Sequence, residues 1–222
     1  MATRRRVKKK SIKEDQLVTY AVNLSRWTQE HFNQVIIGVV VLVAVIAVAV
    51  FTANSRQGSA RQAEQAMAVA MSQFQAGDFE SARSSLEQAA NRYGGSTAAR
   101  ARFFKGESEL RMARYQEALS SFDAYLAQYE DYPAFRESAM VGRSMCYEGM
   151  ENYQAAAEEL VALLKIMDPE DPRYLENAFR AGEFFARAGN TEQAAKYFQE
   201  VSDEASGNLK DKASVAAALL SN

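Results

Sequence analysis

Residues 77–86 read GDFESARSSL, and the pattern returns as ARYQEALSSF at 113–122, ENYQAAAEEL at 151–160 and GNTEQAAKYF at 189–198. The four segments align without gaps. Ala82, Ala118, Ala156 and Ala194 fall in register at spacings of 36, 38 and 38 residues, and four residues later come Leu86, Phe122, Leu160 and Phe198. Positions i and i+4 share one face of a helix. A small residue followed by a large apolar one therefore lets a neighbouring helix approach closely and fills the space one turn later. A recurring period of this length marks stacked supersecondary units rather than one irregular globule.

Upstream of each segment the spacing predicts a first helix, whose close-approach position is taken by Ala70, Gly106, Ser144 and Gly182, all small. The turns between the two helices carry Gly77-Asp78, Ala113-Arg114, Glu151-Asn152 and Gly189-Asn190. Gly suits a left-handed helix end, and Asp or Asn can cap the next helix. Phe79, Tyr115 and Tyr153 follow the first three turns, whereas Thr191 follows the fourth, which is expected to pack less tightly. After Gly207-Asn208 the stretch to Leu220 reads as a capping helix with Leu209, Val215 and Leu219, such as a solenoid needs to cover its last stacking face.

These residues resemble the tetratricopeptide repeat: small residues in helix A, an aromatic after the turn, then alanine and a large apolar residue in helix B. The resemblance covers four units over residues 63–206. The period exceeds the family's usual length, Arg102 stands where a tryptophan is common, and a closing proline is found only near Pro133 and Pro169. Longer turns around residues 129–133 and 168–172 are expected to absorb the extra residues.

The rest of the 222-residue chain is organised around a second signal. Residues 32–55 carry no charge, and residues 35–51 are all apolar apart from Gly38. At the helical rise this run spans roughly 26 Å, and its flanks extend it to about the hydrocarbon thickness of a bilayer. In lipid only a helix satisfies the backbone amides of a single such segment. A cleaved signal peptide competes, because Ala47-Val48-Ala49 has small-residue spacing. The run is longer than a signal peptide's apolar region and the candidate cleavage point lies inside it, so a retained anchor fits better.

Charge orients the anchor. Residues 1–34 hold 8 basic and 3 acidic side chains, a net +5, and residues 56–222 hold 18 and 25, a net −7. The basic flank predicts a cytoplasmic N-terminus with the repeats on the far side, in a bacterium the periplasm. Nucleic-acid binding by the basic cluster at residues 4–13 is disfavoured, because no aromatic residue interleaves it and topology and anionic lipid already account for it. Leu17, Tyr20, Leu24 and Trp27 mark one helical face, expected to lie at the cytoplasmic interface or to dock on another membrane protein. A mitochondrial import receptor-like topology, with cytosolic repeats, is the opposite possibility.

The expected fold is thus all-α: a single N-terminal transmembrane helix, then a right-handed superhelix of about four tetratricopeptide-like helix pairs and a C-terminal capping helix. The expected domains are a basic segment at 1–34, a transmembrane helix at 35–53, a linker at 54–62 and the repeat domain at 63–222. This architecture resembles the bacterial ancillary SecYEG translocon subunit family, grouped with periplasmic cell-division coordinator proteins. The resemblance implies an inner-membrane scaffold or accessory chaperone whose partners are secreted clients, the translocon or periplasmic chaperones. An assembly coordinator acting through its membrane-proximal segment on another membrane complex is the alternative.

An enzyme is not expected. Cys146 is the only cysteine and His31 the only histidine, so one copy cannot form an intramolecular disulfide, a Cys/His zinc site or a triad that needs both a nucleophilic cysteine or serine and an oriented histidine elsewhere in this acidic domain. No cofactor is expected, since phosphate-binding glycine loops and metal-ligand spacings are missing from the sequence. Cys146 reads as a small buried hydrophobe. The carboxylates Glu107/Glu109 and Glu158/Glu159 diverge on a helix and read as solvated faces.

Helix A faces of stacked repeats line the concave surface, which gives a candidate protein-binding groove of Met67, Met71, Phe74, Phe103, Glu107, Leu110, Val141, Met145, Phe179 and Glu183. Thioether side chains adapt to differently shaped apolar partners. The same stripe also fits plain inter-helix core. The lysine and asparagine set with which some members of the repeat family clamp a C-terminal carboxylate is absent, so that ligand is disfavoured.

Overall fold

Alanine and glutamate are the two commonest residues of 59–220, and both are strong helix formers. In the computed structural model, which describes Tyr20 and residues 31–220, that stretch is helical throughout apart from short turns. The basic cluster at residues 4–13, together with Leu17, Leu24 and Trp27, lies outside the described residues. No strand occurs among the described residues. All three prolines stand outside helix interiors, with Pro133 and Pro172 opening their elements, where the missing N–H costs nothing.

The chain divides into two units, Met1–Gly58 and Ser59–Asn222. Among the described residues, α1 spans Phe32–Gln75. The window Phe32–Ala49, with mean hydropathy 2.6, is long and apolar enough to cross a membrane, and none of it is buried. A core helix of a soluble protein is mostly buried, whereas a signal sequence shares both properties. The stretch expected to be a linker, residues 54–62, is assigned as helix within α1.

In the second unit the end of α1 pairs with α2 (Phe79–Arg92), α3 (Gly95–Arg111) with α4 (Tyr115–Gln128), α5 (Arg136–Gly149) with α6 (Tyr153–Leu164), and α7 (Pro172–Arg187) with α8 (Thr191–Glu204). From α2 onward each helix packs against the next, α3 also touches α5, and α9 (Gly207–Leu220) packs on α8. The arrangement is the superhelix of helix pairs that the period predicts.

The repeat residues are its core. Ala82, Ala118, Ala156 and Ala194 are fully buried, as are Leu86, Phe122 and Leu160, and Phe198 is nearly so. A Cβ added at Gly106 would stand 2.8 Å from the Phe122 ring, and one at Gly182 would stand 2.8 Å from Phe198. Gly142 of α5 approaches the other edge of Phe122, so that ring lies between glycines of two successive first helices. Ser144 replaces glycine in the third pair, and its buried hydroxyl donates to the Ala156 carbonyl at 2.9 Å. Burying each large side chain contributes on the order of 2 kcal/mol.

The four turns share one backbone geometry. Gly77, Ala113, Glu151 and Gly189 all have φ between 57° and 80°. The next amide donates five residues back in every case: Asp78 to Gln73, Arg114 to Glu109, Asn152 to Tyr147 and Asn190 to Phe185, at 2.8–3.0 Å. This is the Schellman closure of a helix end. Asp78, Asn152 and Asn190 then cap the second helix through their side chains, whereas Arg114 makes no such bond. Tyr115 packs over Gly149, and Tyr153 lies under the Arg187 guanidinium at 4.9 Å. Thr191 is exposed, in line with its smaller contribution to the turn.

Extra residues between the second and third pairs form a 3-10 turn at Pro133–Phe135. The buried Tyr125 hydroxyl holds it, donating to the Tyr132 carbonyl and accepting from the Phe135 amide. Phe135 in turn stacks on Phe103 at 4.6 Å.

Candidate functional site

Burial sorts the ten groove residues expected from sequence. Met67, Phe103 and Leu110 are buried in the core, with exposures of 1%, 5% and 9%. Met71, Phe74 and Phe179 are half-buried. Phe74 packs edge-on against Phe79 and Phe104, and Phe179 leans on Phe198. Glu107 and Val141 are half-buried, and Met145 and Glu183 are exposed.

Three of these, Glu107, Val141 and Met145, meet in a cleft of about 270 Å³ between α5 and α7, with α3 contributing the glutamate. Its floor is completed by Leu163 at the end of α6 and Met167 in the turn that follows. Arg173, Glu176 and Asn177 of α7 line the opposite wall. Glu183 lies instead at a second cleft of about 450 Å³, formed with Phe184, Phe198, Ala216 and Leu219 between α7 and α9. Met167 and Leu163 escape a search confined to first helices, because they come from the second helix and the long turn of the third pair. The extra length of that turn at residues 168–172 is the only trace in the sequence.

Charges around the first cleft are unevenly matched. Arg173 is paired with Glu137 at 2.9 Å and with Asp171 at 2.5 Å. Among the described residues Glu107 forms no ion pair, and burial holds its carboxyl above the ordinary range, opposed by the charge of Arg111. Glu148 ties α5 to α7 by pairing with Arg187 at 3.3 Å and approaching Arg180 at 3.9 Å.

Glu109 and Glu159, expected on solvated faces, are buried instead, at 2% and 9% exposure. Glu109 pairs with Lys105 at 3.2 Å and accepts a 2.6 Å hydrogen bond from Ser121 of α4. Glu159 lies 3.2 Å from Arg143, which also reaches Asp123 of α4 at 3.0 Å. Among the described residues the Arg143 Nε and the Glu159 Oε1 are buried without a hydrogen-bond partner, and burial pushes the Glu159 carboxyl up. Partners on neighbouring helices, invisible to local spacing, turned both carboxylates inward.

Cys146 is fully buried, and desolvation, helped by Glu107 and Asp123, pushes its thiol up to about 12. A thiol so protonated is a poor nucleophile. Among the described residues no three His, Cys, Asp or Glu side chains converge as metal ligands.

Two models described as tetratricopeptide repeat match the sequence, one over residues 67–133 and one over residues 176–206. No curated protein sequence matches. Among solved structures, the "kinesin light chain nearly identical TPR-like repeats" of Podosopora anserina superimpose with a TM-score of 0.56 at 15% identity, over 71% of this chain and 84% of theirs. The apo form of RapI gives a TM-score of 0.59 at 16% identity, over 72% of this chain and 48% of RapI. At such identities the likeness concerns the fold alone. Repeats of this kind imply a scaffold for protein–protein interaction, typically without catalysis of its own. The sequence models and the architecture of the solved neighbours together support the tetratricopeptide repeat family for this array of helix pairs.

Proposed function

We propose that the chain is a single-pass membrane scaffold or accessory chaperone. In this reading its repeat domain binds other proteins on the periplasmic side of a bacterial inner membrane, close to the secretion translocon or to envelope-assembly machinery. The observation that carries it is the pairing, in one chain, of an uncharged, wholly exposed apolar helical window at Phe32–Ala49 with an acidic repeat array bearing a cleft with an apolar floor. Residues 35–53 serve as the anchor, the basic residues before them stay in the cytoplasm, and the domain of 63–222 follows outside. The face that meets partners includes Met71, Phe74, Val141, Met145 and Phe179, with Glu107 and Glu183 at its edge. Met67, Phe103 and Leu110 support it from beneath.

A C-terminal fusion to alkaline phosphatase, active only outside the cytoplasm, tests the topology: high activity is expected, and activity restricted to a cytosolic reporter overturns it. A photo-crosslinker at position 145 in cells tests the role. Adducts with secreted proteins or translocon subunits support the scaffold, whereas adducts confined to positions within the membrane helix favour a coordinator that acts through its anchor.

A further inference from the structure

We propose that the cleft between α5 and α7 accepts a short polypeptide segment that presents an apolar side chain next to a lysine or arginine. This rests on the interaction-scaffold reading and names the class of its ligand. The floor supplied by Val141, Met145, Leu163 and Met167 is apolar, and its two thioethers adapt to aliphatic or aromatic shapes. Specificity comes from the rim. Four charged residues line the cleft: Glu107, Glu137, Glu176 and Arg173. Arg173 is neutralised by Glu137 and Asp171, so it has little attraction left for an incoming carboxylate.

Among the described residues Glu107 and Glu176 take part in no ion pair, and they approach the cleft from α3 and from α7. Glu107 is half-buried, and its carboxyl is held above the ordinary range by desolvation. A cation brought beside it would replace lost hydration with a direct partner. In such a partly desolvated site a charge pair is worth more than on an open surface. The net −7 of residues 56–222 favours the approach of basic segments over acidic ones.

Fluorescence anisotropy with the full-length protein in detergent micelles tests this. Two labelled peptides of equal length and identical apolar residues are compared, one bearing lysines and the other glutamates at the remaining positions. The lysine peptide is expected to bind at least roughly tenfold more tightly, with the preference falling steeply in about 0.5 M salt. The double variant E107Q/E176Q, checked for native helicity by circular dichroism, is expected to bring the two affinities to within about threefold. Met145→Ser, which removes a thioether from the floor without adding charge, is expected to weaken binding of the lysine peptide while leaving its preference over the glutamate peptide in place. Equal or inverted affinities, no binding of either peptide, or a preference unchanged in E107Q/E176Q would each overturn the inference. If crosslinks from position 145 to client proteins persist in that event, the scaffold reading survives without its charge selectivity; if they vanish too, both fall.

Discussion

Ala113 and Glu151 hold left-handed turn conformations that Gly77 and Gly189 adopt in the first and last pairs. A side chain there costs about 1–2 kcal/mol, partly offset by the looser unfolded chain that glycine brings. Ala113→Gly and Glu151→Gly are therefore expected each to raise stability by about 0.5–1 kcal/mol, read as a higher urea midpoint at unchanged slope. Gly106→Ala should do the reverse by about 1–3 kcal/mol, since the new methyl would press on the Phe122 ring. Titration supplies a third test. Burial raises the carboxyls of Glu107 and Glu159, so the folded state holds their protons more tightly than the unfolded one. Their contribution is present at low pH and is lost as pH rises through the window just above the ordinary glutamate range. Glu159→Gln should flatten the stability curve across that window, which thermal melts at a series of pH values would record. At this scale the alanine and large apolar pairs were legible from sequence because each pair packs within a repeating contact. Glu109 and Glu159 were not, because the residues opposite them, Ser121 and Arg143, lie on other helices.

Helix ends carry the next level of specification. Asn152 and Asn190 each accept the amide three residues ahead, and replacing either by alanine should cost about 1 kcal/mol, seen as loss of helicity at lower denaturant. Arg114 caps nothing and instead pairs with the exposed Glu80 at 2.9 Å, an interaction that solvent largely screens. The last helix has a different balance: α9 buries Ala213 completely while Val215 and Leu219 remain largely exposed. Truncation after residue 206 should nevertheless uncover α8, and light scattering is expected to show earlier aggregation on heating. The helix pairs and their order were readable from periodicity alone. The 3-10 turn at Pro133–Phe135 was not, because its shape depends on Tyr125 reaching across from α4. Helix through residues 54–62 also went unread: Gly58 and Ser59 suggest a break, but the strong helix formers Ala60, Arg61, Gln62 and Ala63 follow directly.

For the molecule as a whole, the proposed anchor predicts a sharp difference in behaviour between two lengths of chain. The full chain should stay with membranes through alkaline carbonate extraction, whereas residues 59–222 should be soluble without detergent, as fractionation and immunoblotting would show. The helical array was legible in outline because its information is repeated, and the cleft only in part because Leu163 and Met167 come from a second helix and the turn after it. One further property follows from the common φ values and backward amide bonds of the four corners. A gene encoding this array can be cut and rejoined at any two of those corners, with the flanking helices still leaving and entering at the same angle. Shortening or lengthening by whole modules then requires only that two unfamiliar helix surfaces tolerate each other, which small alanine and glycine contacts make undemanding.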